Sequence, residues 1–181
     1  AVIERAAARL AQNGSAPIPL PQEAVADKRT LALGGTEIQI LFLGRAHTGG
    51  DLQVYLPRQD LLFMSEVFFN RLYPSVGGSK SARPIEWIET IRRSEALDAA
   101  FVVPGHGFVD SPAVLKEELV AFRRSLENVV AESRRLHAAK VPVDAAPRSI
   151  NLGEFQYWYR AVNNVPDAIA QVYLEIDGKL N

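Results

Sequence analysis

Two histidines stand in glycine-bounded turns that directly follow apolar runs. His47 lies in residues 44–51 (GRAHTGGD), and His106 lies in the Pro-Gly-His-Gly turn of residues 104–107. A tight turn at the end of a strand holds an imidazole on a rigid edge, and metal ligands need such rigidity. Both histidines are therefore candidate metal ligands. The alternative for His47 is a turn histidine that only caps backbone groups.

A carboxylate lies between the two histidines in the sequence. Glu66 follows a third apolar run within residues 63–69 (FMSEVFF). Two imidazoles and one carboxylate after strands can bind metal, and such a set suits a single iron(II) ion if all three meet. Taken alone, a carboxylate at a strand end is a surface residue or a helix cap more often than a ligand. These three ligands alone do not make a complete metal site.

The composition of the chain excludes several classes of partner and of chemistry. The chain of 181 residues is 48% hydrophobic and 23% charged, which is typical of one globular domain, and its net charge is −1. We expect no nucleic-acid partner, because phosphate binding relies on clustered positive charge. We also expect no membrane partner, because no apolar stretch approaches the roughly 20 residues that span a bilayer. The absence of cysteine excludes disulfides, thiolate ligands and cysteine nucleophiles.

The positions of the candidate ligands depend on a series of predicted strands, most of them in the first half of the chain. The Gly34-Gly35 pair between two β-rich runs predicts a hairpin, followed by two further strands around a turn at residues 57–60. The short apolar run of residues 101–103, bounded by Pro104, predicts a buried strand. Further predictions are a helix over residues 1–11, an extended linker over 15–21, and a helix over 84–97.

The second half of the chain is predicted to be helical. One long helix covers residues 111–139, with Ser111 as its N-cap and Pro112 at its first position. His137 lies near the C-terminal end of this helix, where a histidine interacts favourably with the helix dipole. We therefore interpret it as a structural residue. A last helix covers residues 165–177, with Asn164 as its cap. We treat residues 1–181 as a single α/β domain with residues 111–181 as its helical C-terminal extension.

The ordered motifs resemble the C-terminal half of the metallo-β-lactamase superfamily. The series is the His-Thr-Gly-Gly-Asp turn, a pair of strands, Phe-x-x-Glu-x-x-Phe, an amphipathic helix with Trp87, and Val-Val-Pro-Gly-His-Gly. The resemblance implies a four-layer αββα sandwich with metal ions, usually zinc and sometimes iron, at one edge of its sheets. It further implies that His47 completes one metal site, that Glu66 bridges both metals, and that His106 completes the second. A metal-bound hydroxide would then be the nucleophile.

The chain departs from the superfamily pattern at two places. The first metal motif, His-x-His-x-Asp-His, is absent, because residues 1–46 contain no histidine. Glu66, after Ser65, replaces the usual Gly-Asp pair, and its extra methylene moves the carboxylate outward by about 1.5 Å. We expect the missing ligands to come from unseen N-terminal residues of the same polypeptide or from a second chain. A fold without those strands would expose an apolar sheet face.

The sequence supports two main hypotheses of function. The first is a metal-dependent hydrolase that acts on a small-molecule ester, lactam or thioester with one or two zinc ions, iron being the alternative metal. The second is a catalytically inactive binding or structural module that keeps the fold without a complete metal site. The aromatic residues Tyr157, Trp158 and Tyr159 could line a substrate cleft, although core packing of at least two is favoured. A homodimer contact along residues 111–139 is a further candidate.

Overall fold

Seven β-strands and three α-helices are found in residues 21–76 and 81–180, the part of the chain that the computed structural model describes. The predicted helix over residues 1–11 and most of the predicted linker lie outside these residues. The strands are β1 (Lys28–Leu33), β2 (Thr36–Leu41), β3 (Gln53–Leu56), β4 (Leu61–Phe63), β5 (Phe69–Asn70), β6 (Phe101–Val103) and β7 (His106–Gly107). The helices are α1 (Pro84–Glu95), α2 (Pro112–Ala138) and α3 (Ala161–Ile176).

Strands β1 and β2 form the hairpin that the sequence predicts. Leu33 pairs with Thr36 across Gly34 and Gly35, whose φ angles are 57° and 78°. Two positive φ angles in a two-residue turn match the right-handed twist of the strands, and glycine adopts them without steric cost. Strands β3 and β4 pair in antiparallel fashion around the predicted turn at residues 57–60. Both local pairings are confirmed.

The order of the main sheet is β1-β2-β3-β4-β6. Neighbouring strands from β1 to β4 are antiparallel, whereas β4 and β6 are parallel. Strands β2, β4 and β6 therefore run in the same direction, because two successive antiparallel pairings restore the direction of the first strand. The segments that follow these three strands leave the sheet at one edge. They contain His47, Glu66 and His106.

Helices cover one face of this sheet. Leu62 of β4 and Val102 of β6 are paired neighbours and are buried. They belong to one hydrophobic core with Phe122 of α2 and Ile169 of α3, both fully buried. Burying such side chains stabilises the fold by about 1.5–3 kcal/mol each, before cavity effects are added. The core is therefore shared by the strands and the C-terminal helices.

The opposite face of the sheet is also apolar, and much of it is exposed. Successive residues of a strand point to opposite faces, so Phe63 and Phe101 face away from the helices, and they are 40% and 45% exposed. The prediction of a fully buried β6 is wrong for Phe101, because β6 is the last strand of the sheet and this face is open. We call this surface the open sheet face; its members are Leu31, Leu33, Ile38, Ile40, Val54, Leu56, Leu61, Phe63, Phe101 and Val103.

The helices follow the predicted pattern except at the start of α3. Helices α1 and α2 end within two residues of their predicted bounds. Ser111 is at the N-cap of α2, but its side chain makes no capping hydrogen bond. Asn164, predicted as the cap of the last helix, lies inside α3, which begins after Arg160. Its amide instead donates to the Tyr73 carbonyl oxygen at 2.7 Å, so a tertiary contact replaces the expected cap.

No helix in residues 21–76 and 81–180 has the length and apolar composition that crossing a membrane requires.

Candidate metal centre

A tight turn directly after β4 carries Glu66. The turn spans Ser65–Val67, and Ser65 has a positive φ of 50°. The segment after β6 comes so close to it that a Cβ on Gly105 would lie 2.1 Å from the Ser65 carbonyl oxygen. Only glycine permits this approach without movement of the backbone. The Gly105 N–H also donates to the Phe68 carbonyl oxygen at 3.0 Å, which holds the two segments together.

Helix α1 holds the loop that carries His47. The Thr90 hydroxyl donates to the Arg45 carbonyl oxygen at 2.7 Å. The backbone N–H of Arg83, at the N-cap of α1, donates to the Ala46 carbonyl oxygen at 2.9 Å. These bonds fix the backbone on the N-terminal side of the histidine. Since α1 also packs in the core, the loop is tied to the rigid part of the fold.

Hydrogen bonds to Asp51 stabilise the loop that carries His47. Its carboxylate accepts hydrogen bonds from the Thr48 N–H at 2.6 Å and from the Thr48 hydroxyl at 2.8 Å. The Thr48 hydroxyl in turn accepts from the Gly50 N–H at 3.1 Å. Charge-assisted bonds of this kind are stronger than neutral ones. Asp51 therefore shapes the turn that carries His47.

The three candidate ligands meet at the edge of the sheet. His106 Nε2 lies 2.7 Å from Glu66 Oε1, and His47 Nδ1 lies 3.9 Å from Glu66 Oε2. The two imidazoles therefore face different oxygens of one carboxylate. Both also pack on the Phe69 ring, with centroid distances of 4.9 Å to His106 and 5.7 Å to His47. Residues far apart in the sequence are thus brought into one cluster.

Trp87 of α1 links the His47 loop to the Glu66 turn. It is fully buried, and its Nε1–H donates to the Val67 carbonyl oxygen at 2.9 Å. Its ring meets His47 edge-on, with a centroid distance of 5.8 Å. The same ring lies 6.0 Å from Phe69. Trp87 therefore forms the apolar base of the cluster and fixes the two loops relative to each other.

Asn70 fixes the segment that follows His106. Strands β5 and β7 pair in parallel, which places Asn70 opposite Gly107. Asn70 is fully buried, and its side-chain amide donates to the Phe108 carbonyl oxygen and to Asp110 Oδ2, both at 2.8 Å. A buried amide that bridges two acceptors restrains both of them. The chain after His106 is held by this bridge.

His47 has the hydrogen-bonding arrangement of a metal ligand. Its Nε2 lies 2.9 Å from the Ser75 carbonyl oxygen. A carbonyl oxygen only accepts, so Nε2 carries a proton, and in the neutral form of the ring Nδ1 presents a lone pair toward Glu66. Nδ1 is buried and has no hydrogen-bond partner. A metal-bound histidine usually donates its other ring N–H to a carbonyl or carboxylate in this way.

The cluster is nevertheless incomplete as a metal site. In residues 21–76 and 81–180, no group of three or more His, Cys, Asp or Glu side chains is arranged so that it could hold an ion. Glu66 and His106 are hydrogen-bonded to each other instead of converging with His47 on one point. The donor types fit zinc or iron, and the orphaned Nδ1 of His47 fits a ligand. Their metal role stays a prediction.

His137 belongs to a different contact. Its Nε2 lies 2.9 Å from Asp177 Oδ1, at the C-terminal ends of α2 and α3. The Tyr173 ring meets the imidazole edge-on at 4.9 Å. Hydrogen bonds from the Lys179 ammonium and from His137 lower the pKa of Asp177. His137 thus joins two helix ends, as expected of a structural residue.

The aromatic residues before α3 do not pack as expected. Tyr157 and Tyr159 are exposed, so the preference for core packing of at least two of the three is wrong. Trp158 alone packs against the core, with its ring 5.2 Å from Phe155 and 6.0 Å from Tyr73. In an irregular segment, the side chain that faces the core depends on the backbone path, and the sequence does not fix that path.

The structure defines a mixed α/β domain with metal-ligand side-chain types at one edge of its main sheet. Residues 2–106, more than half of the chain, match the family model of the metallo-β-lactamase superfamily. The chain belongs to this superfamily. The resemblance inferred from the sequence is confirmed, and so is the fold class of an α/β sandwich of this type.

Known relatives are longer than this chain. A metallo-β-lactamase type 2 of Bacteroides fragilis is 30% identical over 92 residues, which cover 50% of this chain and 37% of that protein. A metallo-β-lactamase from Pontibacter korlensis is 28% identical with a TM-score of 0.48, over 66% of this chain and 55% of that one. The inverting sec-alkylsulfatase Pisa1 from Pseudomonas sp. shares the fold, with a TM-score of 0.70 and 14% identity over 86% of this chain and 26% of that chain. The chain thus spans about half the length of these relatives, or less.

Three residues that build the cluster were not predicted from the sequence. The sequence pattern indicates that Phe69 and Trp87 are core residues and that Asn70 ends an apolar run. The signal that could have identified Asn70 is its position directly after three apolar residues, because a polar residue there is buried and needs partners. Ser75, which holds the His47 ring through its carbonyl oxygen, carries no sequence signal, because any residue has that group.

Proposed function

We propose that this chain forms part of a metal-dependent hydrolase that acts on a small-molecule ester, lactam or thioester. The proposal rests mainly on one observation: the Glu66 carboxylate lies between the imidazoles of His47 and His106 at one sheet edge. Membership in the metallo-β-lactamase superfamily supports it. The relatives with hydrolase names, the lactamases and the sec-alkylsulfatase, also support the class of reaction without identifying the substrate.

Each residue would have a separate role at this centre. His47 would bind through Nδ1, with its ring oriented by the Ser75 carbonyl oxygen. His106 would bind on the other side of Glu66, because the two imidazoles face different oxygens of that carboxylate. Bound zinc or iron would polarise the scissile group and lower the pKa of an attacking water. Phe69 and Trp87 would keep bulk water from the inner side of the centre.

The arrangement favours two metal positions over one. A single iron(II) ion held by two histidines and one carboxylate requires the three donors to converge on one point. In this structure the carboxylate separates the two imidazoles, and each has its own oxygen. We therefore propose two metal positions, with zinc as the metal that the histidine and carboxylate donors suit and with a single ion or iron as the alternatives.

Further ligands would come from a layer that covers the open sheet face. Phe63 and Val103 of this face directly precede the segments of Glu66 and His106. Leu31, Leu33, Phe63 and Phe101 of this face are exposed, and grouped exposed apolar side chains mark a binding surface. Residues that covered it would also reach the edge where the three candidate ligands lie. We propose that unseen N-terminal residues of the same polypeptide, or a second chain, supply this layer and the missing ligands.

The inactive module remains the second candidate. The direct hydrogen bond of 2.7 Å between Glu66 and His106 satisfies both groups without a metal. A superfamily member that had lost its first metal motif would keep such a bond as a structural contact. In that case the cluster would join β4 and β6 and bind no ion.

Metal analysis of the purified chain separates the two candidates. The chain is incubated with excess zinc at neutral pH and dialysed, and the bound metal is counted by elemental analysis. We expect the three donors of this chain to retain zinc with water in the positions of the missing ligands, and we expect His106→Ala to lose it. His137→Ala is the matched control, because its imidazole also contacts a carboxylate and lies outside the cluster. Zinc at background level, or equal loss in both variants, would contradict the metal-site assignment.

A further inference from the structure

An apolar depression opens beside His106 on the surface of the described chain. Its volume is about 360 Å³, within the usual range of small-molecule sites of about 300–1,000 Å³. Its wall is formed by Val103, Phe108, Val109 and Leu115. Residues 104–107 complete it, so one side of the depression is the turn that carries His106. The depression and the candidate metal centre therefore share a boundary.

Two adjacent apolar side chains at the rim of the depression are exposed. Phe108 is 50% exposed and Val109 is 97% exposed. Single exposed apolar residues are common, but here two of them are adjacent and border a cavity that buried Leu115 also lines. An apolar ligand in the cavity would remove part of this surface from water. Each buried methylene would favour binding by the hydrophobic effect.

Several contacts restrain the Phe108 side of the rim. The Arg71 guanidinium lies over the Phe108 ring, 5.2 Å from its centroid. The same guanidinium pairs with Asp110. The Asn70 amide fixes the Phe108 carbonyl oxygen and the Asp110 carboxylate, both at 2.8 Å. Phe108 is thus restrained at its ring and at its backbone, which favours a preformed site.

The lining determines the kind of group that fits. Among the residues that the structure describes, no Asp, Glu, Lys or Arg side chain lines the cavity, and His106 is the one titratable side chain there. A charged ligand group would lose its hydration without gaining a partner there, whereas a hydrocarbon group would not. We propose that this depression, which we name the acyl pocket, binds the hydrocarbon chain of a carboxylic ester whose reacting carbonyl lies at the His106–Glu66 pair. The position of the reacting carbonyl rests on the proposed function; the pocket itself does not.

The test uses a ligand that cannot be hydrolysed. 2-Octanone carries a carbonyl and a six-carbon chain, and acetone carries the same carbonyl without the chain. Each is titrated into the ¹⁵N-labelled chain, and amide shifts are followed by NMR. We expect 2-octanone to shift the amides of Phe108, Val109 and Leu115, and acetone to leave them unchanged at equal concentration. Shifts confined to the open sheet face around Phe63 and Phe101 would overturn the proposal.

A matched pair of variants completes the experiment. Val109→Asp places a charge at the rim, and we expect it to weaken 2-octanone binding by about tenfold or more. Val162→Asp is the control, because Val162 is 85% exposed and does not line the pocket. Equal affinity of Val109→Asp and the unaltered chain would overturn the proposal. Binding of 2-octanone without retention of zinc would support the acyl pocket and refute the proposed metal centre, and zinc retention without 2-octanone binding would do the reverse.

Discussion

Replacement of Gly105 by alanine tests how the candidate metal centre is assembled. A Cβ at this position would lie 2.1 Å from the Ser65 carbonyl oxygen and 2.5 Å from the Ser65 carbonyl carbon. Both atoms belong to the backbone, so no side chain can rotate away to make room. Ordinary contact begins at 3.4 Å, so the turn of Glu66 and the turn of His106 must separate by about 1.3 Å. This movement would pull apart the 2.7 Å contact between Glu66 and His106.

The same movement has a cost in stability and in function. Overpacking of a tightly packed site typically costs about 1–3 kcal/mol in the free energy of unfolding. For a chain of 181 residues this corresponds to a fall in melting temperature of roughly 3–9 °C. A displacement of about 1 Å at a catalytic centre can cost about a hundredfold in rate. We therefore expect Gly105→Ala to fold with reduced stability and to retain much less zinc.

Gly49→Ala is the matched control for this substitution. Gly49 also lies in a loop of the centre, has no positive φ, and has nothing within 4 Å of its position for a Cβ. Its replacement should change the free energy of unfolding by no more than about 0.5 kcal/mol. Thermal unfolding gives the stabilities, and the ¹⁵N shifts of the His106 ring report its contact with Glu66. If both variants matched the unaltered chain in both measurements, the close approach of the two turns would be refuted.

Two further predictions concern packing and pH. Trp87→Phe removes the donor to the Val67 carbonyl oxygen, and a buried acceptor left unpaired should cost about 1–3 kcal/mol in urea denaturation; an unchanged midpoint would contradict the bridging role of Trp87. Burial raises the pKa of Glu175 above 4.5, although its carboxylate accepts from the N–H groups of Ile85 and Glu86. The contribution of Glu175 to stability is therefore full below pH 4.5 and is lost as the pH rises through its folded-state pKa. Glu175→Gln should be more stable relative to the unaltered chain at pH 7 than at pH 4, and a difference independent of pH would contradict this.

The open sheet face directly adjoins the candidate metal centre. Strands β4 and β6 end the apolar face with Phe63 and Val103, and the segments of Glu66 and His106 begin immediately after them. Any layer that covered the face would therefore reach the centre.

Local features of the fold could be predicted from the sequence because their causes are local. The Gly34-Gly35 turn, the start of α1 at Pro84 and the start of α2 at Pro112 depend on residues within a few positions. Apolar periodicity predicted the helices, since the covered stripe of a helix repeats in the sequence itself. The superfamily could be identified for a related reason, because the motifs around His47 and His106 are short stretches that can be recognised in the sequence itself.

The sequence alone also determined which residue types could do chemistry. With no cysteine and three histidines in the chain, the candidates for a metal centre were few. Only the tertiary structure decided that His47, Glu66 and His106 meet, because their meeting depends on the parallel pairing of β4 with β6. That pairing joins segments about forty residues apart, and no local propensity encodes it.

The tertiary structure also decided how individual side chains are used. Asn164 was predicted as a helix cap and instead donates to Tyr73, and Phe101 was predicted as buried and is exposed at the end of the sheet. In both cases the residue type is compatible with two environments. The choice between them is made by which other segment packs nearby. Long-range packing has a free energy that depends on the whole fold, and for this reason the sequence pattern around a residue cannot supply it.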